Sequence, residues 1–257
     1  MVTSAYQHGS PSWIDLGSPD VPAASAFYTA VFGWEFLSAG PEAGGYGMFQ
    51  LDGKTVAAIG RLDEGATSAW TVYFQTRDAD ATAKAVEQAG GTVRVPPFDV
   101  MDAGRMAPLT DPTGGEFAVW QAGRTVGLDV VGEPNTFCWA ELHSPDTKAA
   151  LAFYQTLFGW RAADSGVPGV EYTVLSTSEG ERPEADFGGL AAMHEGLNLG
   201  WLVTFAAADV DAVAAATTAN GGSVLMPPDD VPTVGRIGIF TDPFGAQFSV
   251  IQPLPRG

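Results

Sequence analysis

The segment WIDLGSPDVPAASAFYTAVFGWE at residues 13–35 returns as WAELHSPDTKAALAFYQTLFGWR at residues 139–161, a constant offset of 126. Trp13, Leu16, Asp20, Phe27, Tyr28, Gly33 and Trp34 recur as Trp139, Leu142, Asp146, Phe153, Tyr154, Gly159 and Trp160. A fixed spacing of this length marks a duplicated structural unit, and it restricts the chain to folds that can be built twice. Further along the offset becomes 131: Trp70 pairs with Trp201, Asp78 with Asp209, Arg105 with Arg236, Asp111 with Asp242 and Phe117 with Phe248. Five additional residues therefore fall inside the second half, and the polar stretch 178–186, with Pro183, is their natural place. A longer loop there either serves as a lid or is a plain surface insertion.

Local patterns fill in the repeat. Residues 12–17 alternate, with Ile14 and Leu16 on one face and Trp13 and Asp15 on the other, as in a strand covered on one side. Asp20 suits a helix N-cap, Pro22 a first turn, and Gly33 the left-handed residue that ends a helix. Strands are expected at 34–37, 46–51 and 55–60. A second round follows: strand 69–76, helix 79–89 stopped by Gly90-Gly91, and strands 92–95, 105–110 and 116–121, with Pro96-Pro97 as a break. The second half repeats the plan. Its strands are expected at 138–143, 172–176, 189–193, 202–206, 236–241 and 247–252, its helices at 149–158 and 210–219, and Pro227-Pro228 is again read as a break.

This is an α+β reading: four tandem βαβββ modules forming two curved, incompletely closed mixed-sheet half-barrels with helices outside. A single parallel α/β sheet needs a crossover between every strand pair, which the consecutive hairpin-like strands do not supply. Residues 123–134 carry Gly127, Gly132 and Pro134 without helical period and read as a linker. Domains are accordingly expected at 1–122 and 135–257, each of two modules.

Composition narrows the partners. A formal charge of −18 repels phosphate, which argues against nucleic acid and anionic membrane surfaces. Cys138, the single cysteine, cannot form an internal disulfide and reads as a buried thiol between Phe137 and Trp139. Neither a signal-peptide pattern nor an apolar run of membrane length is seen, so a cytoplasmic protein is expected, monomeric or homodimeric.

Strand alternation gives the concave faces. Trp13, Asp15, Tyr46, Met48, Thr71, Tyr73, Ala118 and Trp120 point inward in one half. Their counterparts are Trp139, Glu141, Tyr172, Val174, Leu202, Thr204, Ser249 and Ile251. A curved sheet lined by Trp, Tyr and Met with a few polar groups suits a flat apolar ligand, unless these rings simply fill each half-barrel. Ligand contacts are assigned to Trp13, Asp15, Tyr46, Met48, Tyr73, Trp120, Trp139, Glu141, Tyr172 and Thr204. Asp15 and Glu141 occupy matched positions and serve as bases or as structural carboxylates tied to backbone or to Arg105 or Arg236. His143 replaces Gly17 in the repeat, ~7 Å from Glu141 along one face of the strand. Glu141 with His143 is the best acid–base pair on offer, with Asp15 the third catalytic candidate; a satisfied strand-end histidine is the structural alternative. His194 is placed near the same cleft. There is no GxSxG, P-loop or helix-opening GxGxxG, and Gly44-Gly45-Tyr46-Gly47 reads as a hinge or turn.

The paired FY and VFGW or LFGW motifs, with the closing TDPTGGEFAVWQ and TDPFGAQFSVIQ, resemble the vicinal oxygen chelate superfamily of glyoxalases, bleomycin-resistance proteins and extradiol dioxygenases. More closely the chain is similar to a two-domain actinobacterial group described as hydroxylase-like or glyoxalase-like. The resemblance implies the half-barrel fold and, for metal-bearing members, ligands on the concave face. One lies seven residues before a cap Asp and another, usually Glu, seven after the Asp of the closing DP turn. Those positions are here Trp13, Trp139, Thr71, Leu202, Ala118 and Ser249, none an ordinary ligand. No metal and no cofactor are therefore expected. The resulting reading is a metal-independent binder of a planar, largely aromatic natural product or antibiotic, acting by sequestration, self-resistance or relief of product inhibition. The alternative is a cofactor-independent oxygenase, hydroxylase or isomerase on a polyketide-like substrate. Metal-dependent glyoxalase or dioxygenase chemistry stands behind both.

Overall fold

Each helix starts where an aspartate can accept from a backbone amide that has no intrahelical partner. Oδ1 of Asp20, Asp78, Asp146 and Asp209 accepts from the amide of Ala23, Ala81, Ala149 and Ala212 at 2.9–3.0 Å. These caps open α1 (Val21–Phe32), α2 (Ala79–Gln88), α3 (Thr147–Phe158) and α4 (Val210–Ala219). Gly33 and Gly159 end α1 and α3 in the left-handed conformation, with φ of 73° and 67°. The computed structural model describes residues 1–63, 65–167, 169 and 171–254.

The strands of the first half are β1 (Pro11–Ser18), β2 (Glu35–Ser38), β3 (Gly47–Leu51), β4 (Lys54–Arg61), β5 (Ala69–Gln75), β6 (Thr92–Val93), β7 (Phe98–Val100), β8 (Gly104–Thr110) and β9 (Glu116–Ala122). The second half supplies β10 (Phe137–Ser144), β11 (Arg161–Asp164), β12 (Thr173–Ser176), β13 (Asp186–Ala192), β14 (Gly200–Ala206), β15 (Ser223–Val231), β16 (Gly235–Thr241) and β17 (Gln247–Pro253). They form two curved, partly open mixed sheets, ordered β2-β3-β4-β1-β5-β9-β8-β6 with β7 on β8, and β11-β12-β13-β10-β14-β17-β16-β15. The parallel pairs, such as β1 with β4 and β10 with β13, are those a βαβββ module requires. Among the described residues no helix is long and apolar enough to cross a membrane.

Two local outcomes differ from the sequence patterns, and a third agrees with them. Pro227-Pro228 does not break the chain but lies within β15, which pairs only with β16, at a register shift between Met226 and Asp229. A proline lacks the amide that a ladder needs, and an edge strand with a bulge is where that loss is tolerated. The strands β7 and β11, three and four residues long, are too short for an alternation pattern to mark them in the sequence. The five additional residues do fall between β12 and β13. The first half joins the equivalent strands through Asp52-Gly53, a two-residue turn with φ of 53° and 74°. The longer loop, 177–185, is pinned: Arg161 donates to the carbonyls of Thr177 and Gly180, and Arg182 pairs with Asp186 at 2.8 Å.

By packing, the chain divides into two compact units: Met1–Trp13 with Thr71–Gly127 and Trp139–Leu202, and Ile14–Trp70 with Leu128–Cys138 and Val203–Gly257. The second and third modules thus make one core, and the first and fourth the other. In the former, Tyr154 stacks on Trp160 at 4.9 Å and meets Phe117 and Trp201 edge-on. Its hydroxyl accepts from Trp201 Nε1 (3.0 Å) and donates to Asp111 Oδ2 (3.1 Å). In the latter, Tyr28 accepts from Trp70 Nε1 (3.1 Å) and donates to Asp242 Oδ2 (3.3 Å). Burial pushes both phenols well above their ordinary value, and the aspartate charge beside each adds to the effect. Segment 123–134 has neither helix nor strand but is tied in: Trp120 Nε1 donates to Thr125 O, and Asp129 Oδ2 accepts from the Thr55 amide.

Tyr154→Phe leaves the Trp201 indole N–H and the Asp111 carboxylate without their shared partner, and should cost about 1–3 kcal/mol in urea denaturation. Burial raises the Asp242 pKa above its unfolded value. Its contribution to stability is therefore full below the unfolded carboxylate pKa and lost as pH rises through the folded one. Asp242→Asn should remove that loss, so the stability difference, wild type minus variant, should shrink as pH increases through the acidic range.

Candidate functional site

β10 alternates between fully buried Ala140 and Leu142 on one face and half-buried Trp139 and Glu141 on the other. Parallel pairing with β13 sets Glu141 beside Gly189 and His143 beside Ala191. Tyr172 stands just before β12, its carbonyl held by the Ser165 amide at 3.0 Å. These elements bring four side chains into a chain of contacts within one packing unit. Trp139 Nε1 donates to Tyr172 Oη (2.8 Å), and Tyr172 donates to Glu141 Oε2 at 2.6 Å, the short distance of a charge-assisted bond. His143 Nε2 lies 2.8 Å from the other carboxylate oxygen, Oε1. That contact has ion-pair distance without hydrogen-bond alignment, and neither ring nitrogen of His143 has an aligned partner.

The electrostatics follow from the packing. Burial raises the Tyr172 phenol well above its ordinary value; the Glu141 charge and the hydrogen bond to it push the same way, and the Trp139 donor opposes them. His143 is 4 % exposed, while the Glu141 side chain is 22 % exposed. Glu141 is thus the reachable end of the group, with a phenol on one oxygen and a buried imidazole beside the other. The carboxylate can take a proton from a bound molecule, and the two neighbours hold its orientation. The sequence placed Tyr172 among ligand-contact rings; that it is also the hydrogen-bond donor to Glu141 depends on cross-strand register, which a linear pattern does not carry.

The remaining expected site residues fall into separate groups. Tyr46 donates to Asp15 Oδ2 at 3.2 Å, with Gly17 where His143 stands in the repeat. Met48 sits half-buried on β3, opposite Ala58, which in turn pairs with Asp15. Trp13, Tyr73 and Trp120 pack with Ala118, Val100, Ala103 and Met106, and Tyr73 and Trp120 are buried there. Thr204 is buried in the other packing unit, paired with Ser249, and its carbonyl accepts from the Cys138 thiol. Burial pushes that thiol up to about 12, which makes it inert. Arg105 and Arg236 make their ion pairs with other aspartates. Arg105 forks onto Asp80 and reaches Asp99, and Arg236 repeats this with Asp211 and Asp230. His194 is exposed, Nδ1 against Glu195 O at 2.9 Å.

The donor set does not fit a metal ion. The six positions where metal-bearing relatives would place ligands hold indoles, aliphatic groups and hydroxyls, and among the described residues no group of three or more His, Cys, Asp or Glu converges. Dialysis against EDTA should leave the thermal midpoint unchanged. Glu141→Gln should lower the Tyr172 phenol pKa by removing the carboxylate charge while burial still holds it up, a downward shift read by carbon-13 NMR at Tyr172 Cζ.

Comparison with known proteins agrees with the geometry. The chain is 40% identical to the putative glyoxylase CFP32 of Mycobacterium tuberculosis, over 98% of both chains. It is 42% identical to the anthracycline biosynthesis protein DnrV of Streptomyces peucetius, over 96% of this chain and 94% of that one. The structure of the 2,3-dioxygenase LapB from Pseudomonas sp. KL28 superposes with a TM-score of 0.66 at 14% identity, covering 96% of this chain and 93% of that one, a likeness of fold. Residues 10–119 and 136–250 both match one family model, and the chain belongs to the Glyoxalase/Bleomycin resistance protein/Dioxygenase superfamily.

Proposed function

We propose that this protein is an enzyme that works without a metal on a planar, polycyclic aromatic substrate of the polyketide type, with Glu141 as the general base. The observation that carries the reading is the Glu141 carboxylate, partly exposed and backed by the Tyr172 phenol and the buried His143. A relative named for anthracycline biosynthesis, similar over nearly the whole chain, supports a fused-ring substrate. The half-buried indole of Trp139, held through its N–H by Tyr172, offers a flat face against which such rings stack.

Glu141 removes an acidic C–H or O–H proton from the bound rings. His143 Nε2 lies 2.8 Å from Oε1 but out of line with it, so the imidazole takes up a proton arriving there only after its ring turns. The resulting carbanion or phenolate then has two outcomes. Return of the proton elsewhere on the ring system is an isomerisation. Alternatively, dioxygen takes the electrons: an anthrone CH2 becomes a carbonyl, one oxygen atom enters the product and the other leaves as water. Tyr172 keeps the carboxylate aimed.

A second reading is favoured by one feature. The Tyr172 hydroxyl already accepts and donates, as it would in the rigid wall of a binding site, and sequestration of the same class of molecule would follow. The two readings part in one experiment with 1,8-dihydroxyanthrone in aerated buffer. The enzyme should accelerate formation of the anthraquinone, and Glu141→Gln should lower that rate about 10²- to 10⁴-fold while tryptophan quenching by the anthrone persists. Quenching without acceleration in the wild type removes the enzymatic reading and leaves sequestration.

A further inference from the structure

The two halves of the duplication differ at a glycine, and the difference lies at the candidate site. Gly189 pairs with Glu141 across β13 and β10. Its backbone is not left-handed, so nothing in its own conformation demands glycine. The objection to a side chain is spatial: a Cβ there would overlap the Tyr172 hydroxyl and ring carbons. The neighbouring Gly188 has a different cause, since a Cβ there would meet the carbonyl oxygen of Ala140. A glycine inside a strand often marks a place where another group must come close, and here that group is one phenol ring.

The first half has the opposite arrangement. Asp15 pairs with Ala58, and Gly17 with Gly60. Tyr46, the counterpart of Tyr172, lies over Gly60, its ring 3.1 Å from where a Cβ would be. Its hydroxyl reaches Asp15 at 3.2 Å, against 2.6 Å for Tyr172 and Glu141. In the second half the places of Gly17 and Gly60 are taken by His143 and Ala191, and the glycine has moved two residues, one step along the same strand face. The room for the tyrosine has therefore shifted from beside the histidine position to beside the carboxylate, and the histidine position is filled.

We propose that Gly189 is the positioning residue of the Glu141 site: its missing side chain lets Tyr172 lie across β13 and close to 2.6 Å on the carboxylate, whereas at the matched place, with Ala58 in the glycine's position, Tyr46 lies over Gly60 and its bond to Asp15 is 3.2 Å long. The catalytic consequence rests on the reading of Glu141 as the base; the positioning does not. Gly189 touches no substrate atom in this account and acts through Tyr172.

The test uses the full-length protein labelled at tyrosine Cζ with carbon-13 and titrated by NMR, with Tyr172→Phe identifying the resonance. In Gly189→Ala the Tyr172 phenol should titrate at lower pH than in the wild type, toward 10.0, because the ring has been driven off Glu141. Anthrone turnover should fall about 100-fold. In a Tyr172→Ala background the ring is gone, and adding Gly189→Ala should change neither folding nor turnover further. An unmoved Tyr172 titration in Gly189→Ala overturns the proposal. So does an added loss of turnover or of folding in the Tyr172→Ala background. If Gly189→Ala does not fold, recovery of folding in the double variant supports the clash with Tyr172, and failure to recover refutes it. Absence of turnover in the wild type would remove the enzymatic reading alone, since the titration still decides the role of Gly189.

Discussion

A buried phenol donating to a buried aspartate holds each core of this protein together. Asp111 is the first residue of a turn whose amides at Thr113 and Gly115 donate to its Oδ1, leaving Oδ2 for the Tyr154 hydroxyl. Asp242 does the same with the amides of Phe244 and Ala246 and with Tyr28. One carboxylate therefore closes a turn and fastens a helix from another module onto it. Either group alone in that interior would be costly; together with a tryptophan N–H on the phenol they satisfy one another. The bond also explains why the chain is duplicated as it is. The turn at Asp111 lies in the second module, between β8 and β9, and its tyrosine belongs to the third; the turn at Asp242 lies in the fourth, between β16 and β17, and its tyrosine belongs to the first. Each core needs a piece of both halves.

This arrangement fixes what the sheets can present. The apolar side of β1, β5 and β9 is fully buried at Ile14, Leu16, Val72, Phe74, Phe117 and Val119. The alternate residues are then free of the helix-packing duty, and there the chain can place polar and aromatic groups without weakening the core. On β10 those residues are Trp139 and Glu141. Their chemistry is a consequence of having a strand whose other face is already committed. Surface arginines take no part: their forks join a helix's first turn to a nearby strand or loop, Asp80 to Asp99 and Asp211 to Asp230, in both halves alike.

Much of this was legible in the sequence because it depends on short spacings. An aspartate before an apolar stripe and a glycine after it define α1 and α3, and two-residue alternation assigns the faces of β1 and β10. What could not be read depends on partners far apart in the chain. Proline reads as a break until one knows that β15 is an edge strand. Tyr172 reads as a ligand-facing ring, and only the cross-strand packing shows that it also donates to Glu141. Trp13, Tyr73 and Trp120 read either as a ligand-facing lining or as rings that fill the half-barrel, and Tyr73 and Trp120 are buried against the turn that follows β7. Nothing in the spacing of Phe98 or Val100 signals that the chain folds back there.

The duplication supplies its own way of separating structure from function. A demand made by the fold falls on both halves, so residues that serve it should match: Tyr28 with Tyr154, Trp70 with Trp201, Asp111 with Asp242, Arg105 with Arg236. A demand made by a working site need fall on only one. Four of the many places where the halves depart at equal register are Asp15 against Glu141, Gly17 against His143, Ala58 against Gly189 and Gly60 against Ala191. In the second half these four lie on two adjacent strands, in register with one another, and the carboxylate among them has the shorter hydrogen bond. At Gly189 a single methyl group would meet the Tyr172 ring, so of these four differences that one bears directly on where the phenol can lie.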